Sequence, residues 1–307
     1  MNDFANFEFD VDAIVQPRST VPPENWRILR RLHIPERFNN PRGGTIKRGL
    51  VLDVESTGLS LENDDVIQLA MLAFDYEVES GRITDVHKDQ AFDALREPAI
   101  PISEEASIIT GITNDMVAGQ KIDASKVDHI VEQSDLIIAH NARFDRAMVE
   151  RHWDCFSKKP WTCTYDSIDW LHEGFAAGKL DYIGMQFGWF YEGHRALIDC
   201  EACLALLAQT LPSSNRRVLD VARQAAQESK YLVCAVGAPF DEKNTLKERG
   251  YRWRPDGLPN GKVWWTMCSN PDAEVAWLKS DVYRFDKEIP VQEVTALTQF
   301  SDRIWDF

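Results

Sequence analysis

The chain predicts an α/β layered domain, a mixed sheet flanked by helices, followed by a small α+β unit. Three observations carry this. Two apolar runs, Gly49 to Val54 and Val66 to Tyr76, have strand character and flank a turn-rich stretch. Helical and strand patterns then alternate to about Thr210, the order expected of layered α/β or α+β architectures. Finally, Pro212-Ser213-Ser214-Asn215 interrupts the pattern, and a second, shorter series of elements follows.

In order, residues 1–47 are read as an N-terminal extension. They hold Pro17, Pro22, Pro23, Pro35 and Pro41 and end in Gly43-Gly44, with one short helix near Asn25 to Leu32. The main domain occupies 48–212. Its first two strands are expected to be antiparallel neighbours, and a third lies within Arg82 to Ala91. Helices follow near Ser103 to Thr110 and Asp123 to Gln133, then a buried strand at Leu136 to Ala139. Further helices are expected at Ala142 to Arg151, Tyr165 to His172, Leu180 to Phe187 and Arg195 to Thr210. A linking helix fills 213–229. The accessory unit, 230–307, has strands at Tyr231 to Val236, Tyr251 to Arg254 and Val263 to Met267, with helices at Asp241 to Arg249 and Pro271 to Ser280. Asp256-Gly257 and Asn260-Gly261 supply the hairpin turn.

Apolar residues are 44% of the chain, yet no run approaches the roughly 18 consecutive apolar residues of a membrane span. The acidic, polar N-terminus lacks the order of a signal peptide, so a cytoplasmic location without membrane contact is expected. Six cysteines are read as free thiols; Cys200 and Cys203 lie inside an apolar helical pattern and are expected in the core. The net charge of −15 excludes a nonspecific nucleic-acid coat protein, because phosphate neutralisation needs Lys and Arg. Its distribution is uneven. Seven basic residues against Glu36 lie between Arg27 and Arg48, and six against Glu248 and Asp256 lie between Lys243 and Lys262. Basic segments flanking an acidic body suit an enzyme that handles phosphate with cations held by carboxylates.

Three short blocks could supply those carboxylates. Asp53 and Glu55 stand at i and i+2 at a strand end, so they share a face. Chance alone gives about eight such pairs in a chain with 49 acidic residues. The context, an apolar strand before and Ser56-Thr57-Gly58-Leu59 after, sets this pair apart. His140-Asn141-Ala142-Arg143-Phe144-Asp145 runs from a strand end into a helix, and Asp145 in its first turn also suits the helix dipole. In His194-Arg195-Ala196-Leu197-Ile198-Asp199, Asp199 sits among apolar residues and needs a partner. Four carboxylates and one histidine form a hard oxygen site for Mg²⁺ or Mn²⁺. Like charges so clustered persist when cations neutralise them, and two ions about 4 Å apart can hold both oxygens of a phosphodiester displacement. A histidine is suited to take the proton of the attacking water.

Together the three blocks resemble the exonuclease motifs of the DEDDh (DnaQ-like) 3′-to-5′ exonucleases, a family that includes the proofreading epsilon subunit of bacterial DNA polymerase III, exonuclease X and RNase T. The resemblance covers about Arg48 to Leu211. It implies an RNase H-like fold and stepwise hydrolysis from a free 3′ end to 5′-mononucleotides. It further implies that Asp53, Glu55, Asp145 and Asp199 bind two divalent cations and that His194 is the general base. Thr57, Gly58, Leu59, Asn141 and Phe144 would shape the pocket for the terminal nucleotide, with Leu59 wedging against its base. His140, at a strand end, is expected to make a structural hydrogen bond instead. Relatives often have a histidine before Gly-Ile-Thr; this chain has Thr110-Gly111-Ile112-Thr113, which removes a substrate contact expected there.

The implied partner is nucleic acid with a free 3′ end, single-stranded DNA being favoured over RNA. An RNA-trimming exoribonuclease, a non-cleaving 3′-end-binding module and an RNase H-like endonuclease are the competing readings. In the accessory unit Tyr251, Trp253, Trp264 and Trp265 interleave with Arg252, Arg254 and Lys262. That combination suits base stacking with phosphate attraction, or equally a small hairpin with an aromatic core and solvated arginines.

Overall fold

The computed structural model describes residues 27–306, so the first part of the N-terminal extension lies outside the described residues. Strands are β1 (Arg30–Arg31), β2 (Ile46–Ser56), β3 (Val66–Glu77), β4 (Arg82–Val86), β5 (Phe92–Leu95), β6 (Leu136–Ala139), β7 (Trp161–Cys163) and β8 (Trp189–Phe190) in the first part of the chain. The principal helices there are α1 (Glu104–Thr110), α2 (Asn114–Val117), α3 (Ala124–Glu132), α4 (Ala142–Glu150), α5 (Leu180–Gln186) and α6 (Ala196–Leu207). The helices expected from Ser103 and Asp123 onward start at capped ends: the Ser103 hydroxyl accepts from Ala106 N–H and the Asp123 carboxylate from Ser125 N–H.

The main sheet runs β4-β3-β2-β6-β7, with β5 pairing β3 beside β4. β2 is antiparallel to β3 and parallel to β6, which makes the sheet mixed. Alternation along β2 divides its side chains between two cores. Leu50, Leu52 and Val54 face α3 and α4, whereas Val51 joins α6 on the other face. Gly49 lets β2 pass the Phe74 ring, which a Cβ would meet at 2.3 Å.

The C-terminal end of β2 departs from regular pairing in two ways. Its pairing with β6 stops at Val51, so its last residues outrun their parallel neighbour. Its register against β3 then slips between Glu55 and Ser56, a bulge of the kind that re-aims side chains at a sheet end.

After α7 (Val218–Gln227) comes the second unit, built from β9 (Lys230–Ala235), α8 (Lys243–Glu248), β10 (Arg252–Arg254), β11 (Val263–Cys268), α9 (Pro271–Trp277) and β12 (Val291–Val294). Its antiparallel sheet runs β10-β11-β9-β12. One face packs Val233, Ala235 and Tyr251 under Leu246 and Leu278; the other packs Leu232, Cys234, Val263 and Trp265 against Ile304 and Trp305. The segment after β12 returns to the first unit. Arg146, fully buried on α4, donates to the carbonyls of Leu297 (2.7 Å) and Gln299 (2.8 Å) and pairs with Glu150 at 2.8 Å. Trp161 N–H donates to the Ala296 carbonyl (2.8 Å), so the chain end covers the exposed edge of β7.

Several expectations are corrected. Residues 27–32 are not helical: Arg30 and Arg31 pair in parallel with Trp189 and Phe190. Residues 30–47 are not merely an extension, since Ile34 is buried in the core, Asn39 donates to the Ile83 carbonyl and β2 begins at Ile46. Tyr165 to His172 is a run of turns held by local bonds, with Ile168 and Trp170 buried in the core, rather than a helix. Four strands, β5, β7, β8 and β12, carry no expectation from sequence at all.

Candidate active site

The site assembles where β2 outruns β6. Asp53 and Glu55 continue the Val51 face of β2, over which α6 lies with Asp199 in its first turn. One carboxylate oxygen from each of Asp53, Glu55 and Asp199 lies within 4.8 Å of the others. Asp145 arrives from α4, in the chain that follows β6, and its Oδ1 accepts a hydrogen bond (3.2 Å) from the Val54 N–H that β6 leaves unpaired. That bond satisfies the backbone donor and fixes the position of the Asp145 carboxylate.

The site strongly disfavours four negative charges. Burial, then the carboxylates of Asp145, Asp199 and Glu55, hold Asp53 well above the usual carboxylate range. Burial does the same to Asp145, against the Val54 N–H and with the charges of Glu55 and Asp199 adding to it. Burial and then Asp199 push Glu55 up to about 8, opposed by Arg195. Asp199 is raised by burial and partly relieved by the Arg195 N–H (3.1 Å to Oδ2), the Tyr191 hydroxyl and His194.

A pH dependence is expected for the protein in EDTA. Folded Glu55 keeps its proton to about 8, whereas its ordinary value is 4.5. The stability this confers is fully present below 4.5 and is lost as pH rises through 8. The melting temperature in EDTA is therefore expected to fall by several degrees between mildly acidic and mildly alkaline buffer. Glu55→Gln should flatten the decline; an equally steep curve in that variant would refute the assignment to Glu55.

His194 lies in the loop before α6 with its side chain exposed and its backbone in the left-handed region (φ 64°), a conformation rare outside glycine. It is close enough to Asp199 for its charge to act on that carboxylate. His140 does not share this placement. Its Nδ1 bonds to the Thr164 hydroxyl (2.8 Å), and burial lowers its pKa to about 4.

The residues after β2 form a braced loop. Thr57 Oγ1 donates to Asp64 Oδ1 (2.8 Å) and accepts from Asp65 N–H (3.0 Å), and Ser60 N–H donates to Asp64 Oδ2 (2.7 Å). Gly58 passes so close to the Asp64 carboxylate that a Cβ would meet it at 2.6 Å. Leu59 is held outward, 86% exposed. The Thr57 hydroxyl is therefore committed to the loop. Asn141 is exposed in a left-handed conformation at the start of α4, and its side chain makes no capping bond. Phe144 is half-buried against the core. Thr110 turns inward, donating to the Ala106 carbonyl and accepting from Ile112 N–H, and Gly111 lies against the Arg195 guanidinium.

Three residues of the site were not read from sequence. Tyr191 supports Asp199, Arg195 faces both Glu55 and Asp199, and Asp64 braces the loop. Only Asp64, an acid in the turn after Gly58, left a local signal. Cys200 and Cys203 are buried thiols, and Cys200 donates to the Ala70 carbonyl. No helix among the described residues is long and apolar enough to cross a membrane.

The RNase T family model, described as an exonuclease, matches residues 50–207, half of the chain. DNA polymerase III PolC-type from Listeria innocua is 30% identical over 182 residues, covering 56% of this chain and 12% of the relative. The same protein from Lacticaseibacillus paracasei is 32% identical over 178 residues, with the same coverage. The chain thus spans about an eighth of the length of these curated relatives. Among solved structures, exonuclease X in complex with 5′ overhanging duplex DNA is 25% identical, covering 58% of this chain and 99% of that one at a TM-score of 0.43. Exonuclease I of E. coli in complex with an oligonucleotide is 15% identical, covering 73% and 63% at a TM-score of 0.47. The mixed sheet, with helices on both faces and the carboxylates at the end of β2, is the RNase H-like exonuclease fold. The protein belongs to the RNase T family of exonucleases.

Proposed function

We propose that the protein is a metal-dependent 3′-to-5′ exonuclease that removes 5′-mononucleotides from DNA. The observation that carries this is the convergence of Asp53, Glu55 and Asp199 within 4.8 Å, with Asp145 fixed on Val54 N–H beside them. An all-oxygen donor set of buried, mutually repelling carboxylates fits hard divalent cations, Mg²⁺ or Mn²⁺, and Asp53, Glu55, Asp145 and Asp199 would hold them. Two such ions supply positive charge that activates water and steadies the charge developing on the scissile phosphate.

The remaining work falls to this chain's own groups. His194, exposed at the mouth of the site, accepts the proton of the attacking water at a ring nitrogen. Tyr191 and the Arg195 N–H orient Asp199. Leu59 wedges against the terminal base, and Thr57 and Gly58 hold it in place through Asp64. Asn141 offers its amide to the same nucleotide, and Phe144 forms the apolar wall. DNA is the proposed substrate because the curated relatives are DNA polymerases. The proposed division is 30–212 as nuclease, 213–229 as link and 230–307 as accessory unit, the start moved from 48 because β1 and Ile34 belong to the nuclease core.

A 5′-labelled single-stranded DNA and the same-sequence RNA, each incubated with protein and Mg²⁺ or with EDTA, test the reading. A metal-dependent ladder shortening from the 3′ end on DNA is expected. A ladder on RNA alone would reassign the substrate, rapid cutting of closed circles would make the protein an endonuclease, and binding without mononucleotide release would make it an end-binding module.

A further inference from the structure

A cleft of about 360 Å³ separates the nuclease unit from the accessory unit, lined by Leu61, Arg143, Ser167 and Asp166 on one side and by Arg252, Arg254 and Trp265 among others on the second. Cross-strand pairing sets Arg252 opposite Trp265 and Arg254 opposite Val263, so both arginines point to the face turned toward the nuclease. The Arg143 and Arg252 guanidiniums lie over the same Trp265 ring, at 5.7 Å and 5.8 Å from its centroid, one from each unit. Arg254 stacks 4.0 Å over Trp305, is only 9% exposed and donates from Nε to the Pro259 carbonyl. Its Nη2 is buried and has no hydrogen-bond partner.

Three guanidiniums so placed repel one another, and among the described residues none pairs with a carboxylate within 4.0 Å. Asp302 and Asp166 also line the cleft, against four cations once Lys230 is counted. A buried donor without a partner costs about 1–3 kcal/mol, more when charged. An anion with several acceptor oxygens would satisfy it and neutralise the cluster.

The position says which anion. Arg143 is two residues before Asp145 in the first turn of α4, so the two side chains diverge from one helix end, Asp145 to the carboxylate site and Arg143 to the cleft. Leu61 follows Leu59 on the braced loop and lines the cleft wall. We propose that the cleft binds the phosphodiester backbone of the strand whose 3′ end is being hydrolysed, with Arg143, Arg252 and Arg254 contacting its phosphates. This rests on the nuclease reading for the identity of the strand, and it assigns the accessory unit the task of holding substrate.

The test measures binding in EDTA, where no turnover occurs, so it stands apart from the activity assay. A fluorescent single-stranded DNA is titrated by anisotropy over a range of salt against wild type, Arg252→Glu, Arg254→Gln and Lys262→Glu. Arg252 and Lys262 are both on the accessory hairpin and both reversals change the net charge equally, but Lys262 pairs with Asp256 and does not line the cleft. Arg252→Glu is expected to weaken binding about tenfold and to reduce the salt slope by about 1. Lys262→Glu should change neither by a comparable amount. Equal losses in the two reversals would overturn the cleft as the site. If Arg254→Gln melts early, Arg252→Glu carries the test alone. Inorganic phosphate titrated as competitor separates the sources: displacement of the DNA only at concentrations that match a general salt effect supports a backbone site, and displacement at much lower concentrations would reassign the cleft to free phosphate.

Discussion

Asp145→Asn is expected to lower the rate of mononucleotide release by at least about 10³-fold, equivalent to about 4 kcal/mol of transition-state stabilisation. The substitution is nearly isosteric, and its amide oxygen can keep the hydrogen bond from Val54 N–H. Only the charge that would hold a cation is lost. In EDTA the same change should raise the melting temperature, because burial and the neighbouring carboxylates oppose ionisation of Asp145. Loss of activity alongside equal or higher stability separates a functional carboxylate from a structural one. Full activity in the variant would remove Asp145 from the proposed cation set.

Arg146, the next residue, is expected to behave in the opposite way. Its side chain is fully buried and bonds to Glu150 and to the carbonyls of Leu297 and Gln299 while lying 5.2 Å from the Trp161 ring centroid. Burial lowers its pKa to about 10, which still leaves it charged at neutral pH. Arg146→Ala would leave Glu150 with Arg303 as its remaining ion-pair partner, at 3.3 Å, and would strip both carbonyls of this donor. Breaking a buried pair of this kind costs about 3–5 kcal/mol. Urea unfolding should show the midpoint falling accordingly, with the two units separating first. A loss under about 1 kcal/mol would mean that water replaces the guanidinium at no great cost.

The parts of the fold legible in sequence were those whose information is local. The period-two placement of Asp53 and Glu55 follows from a strand's pleat, and the helix starts at Ser103 and Asp123 from their own hydroxyl and carboxylate. The structural bond of His140 was likewise readable from its place at a strand end. What failed depended on distant partners. Arg30 and Arg31 are extended because Trp189 and Phe190 pair with them. Tyr165 to His172 carries helical periodicity, yet Ile168 and Trp170 join the core that holds Ile183 and Leu204, and the chain turns to bring them there, closed by bonds from Trp170 Nε1 to the Thr164 carbonyl and from Asp166 N–H to Cys163 Sγ. Tyr191 could not be recognised, since only the folding of α6 brings Asp199 to its hydroxyl. Strand alternation puts Arg252 and Arg254 on one face, but that another unit lies over that face, leaving Arg254 buried rather than solvated, was not written locally.

The long reach of the Arg146 bonds also bears on the order in which the protein is completed. Arg146 and Gln299 are 153 residues apart, so at about 5–20 residues per second of synthesis the guanidinium waits roughly 8–30 s before its carbonyl acceptors exist. During that interval Arg146 on α4, which carries Asp145 at its other side, has Glu150 as its partner but lacks the two carbonyls that the finished protein supplies. The segment that supplies these carbonyls also lines the cleft, so the bracing of α4 and the closing of the cleft arrive together.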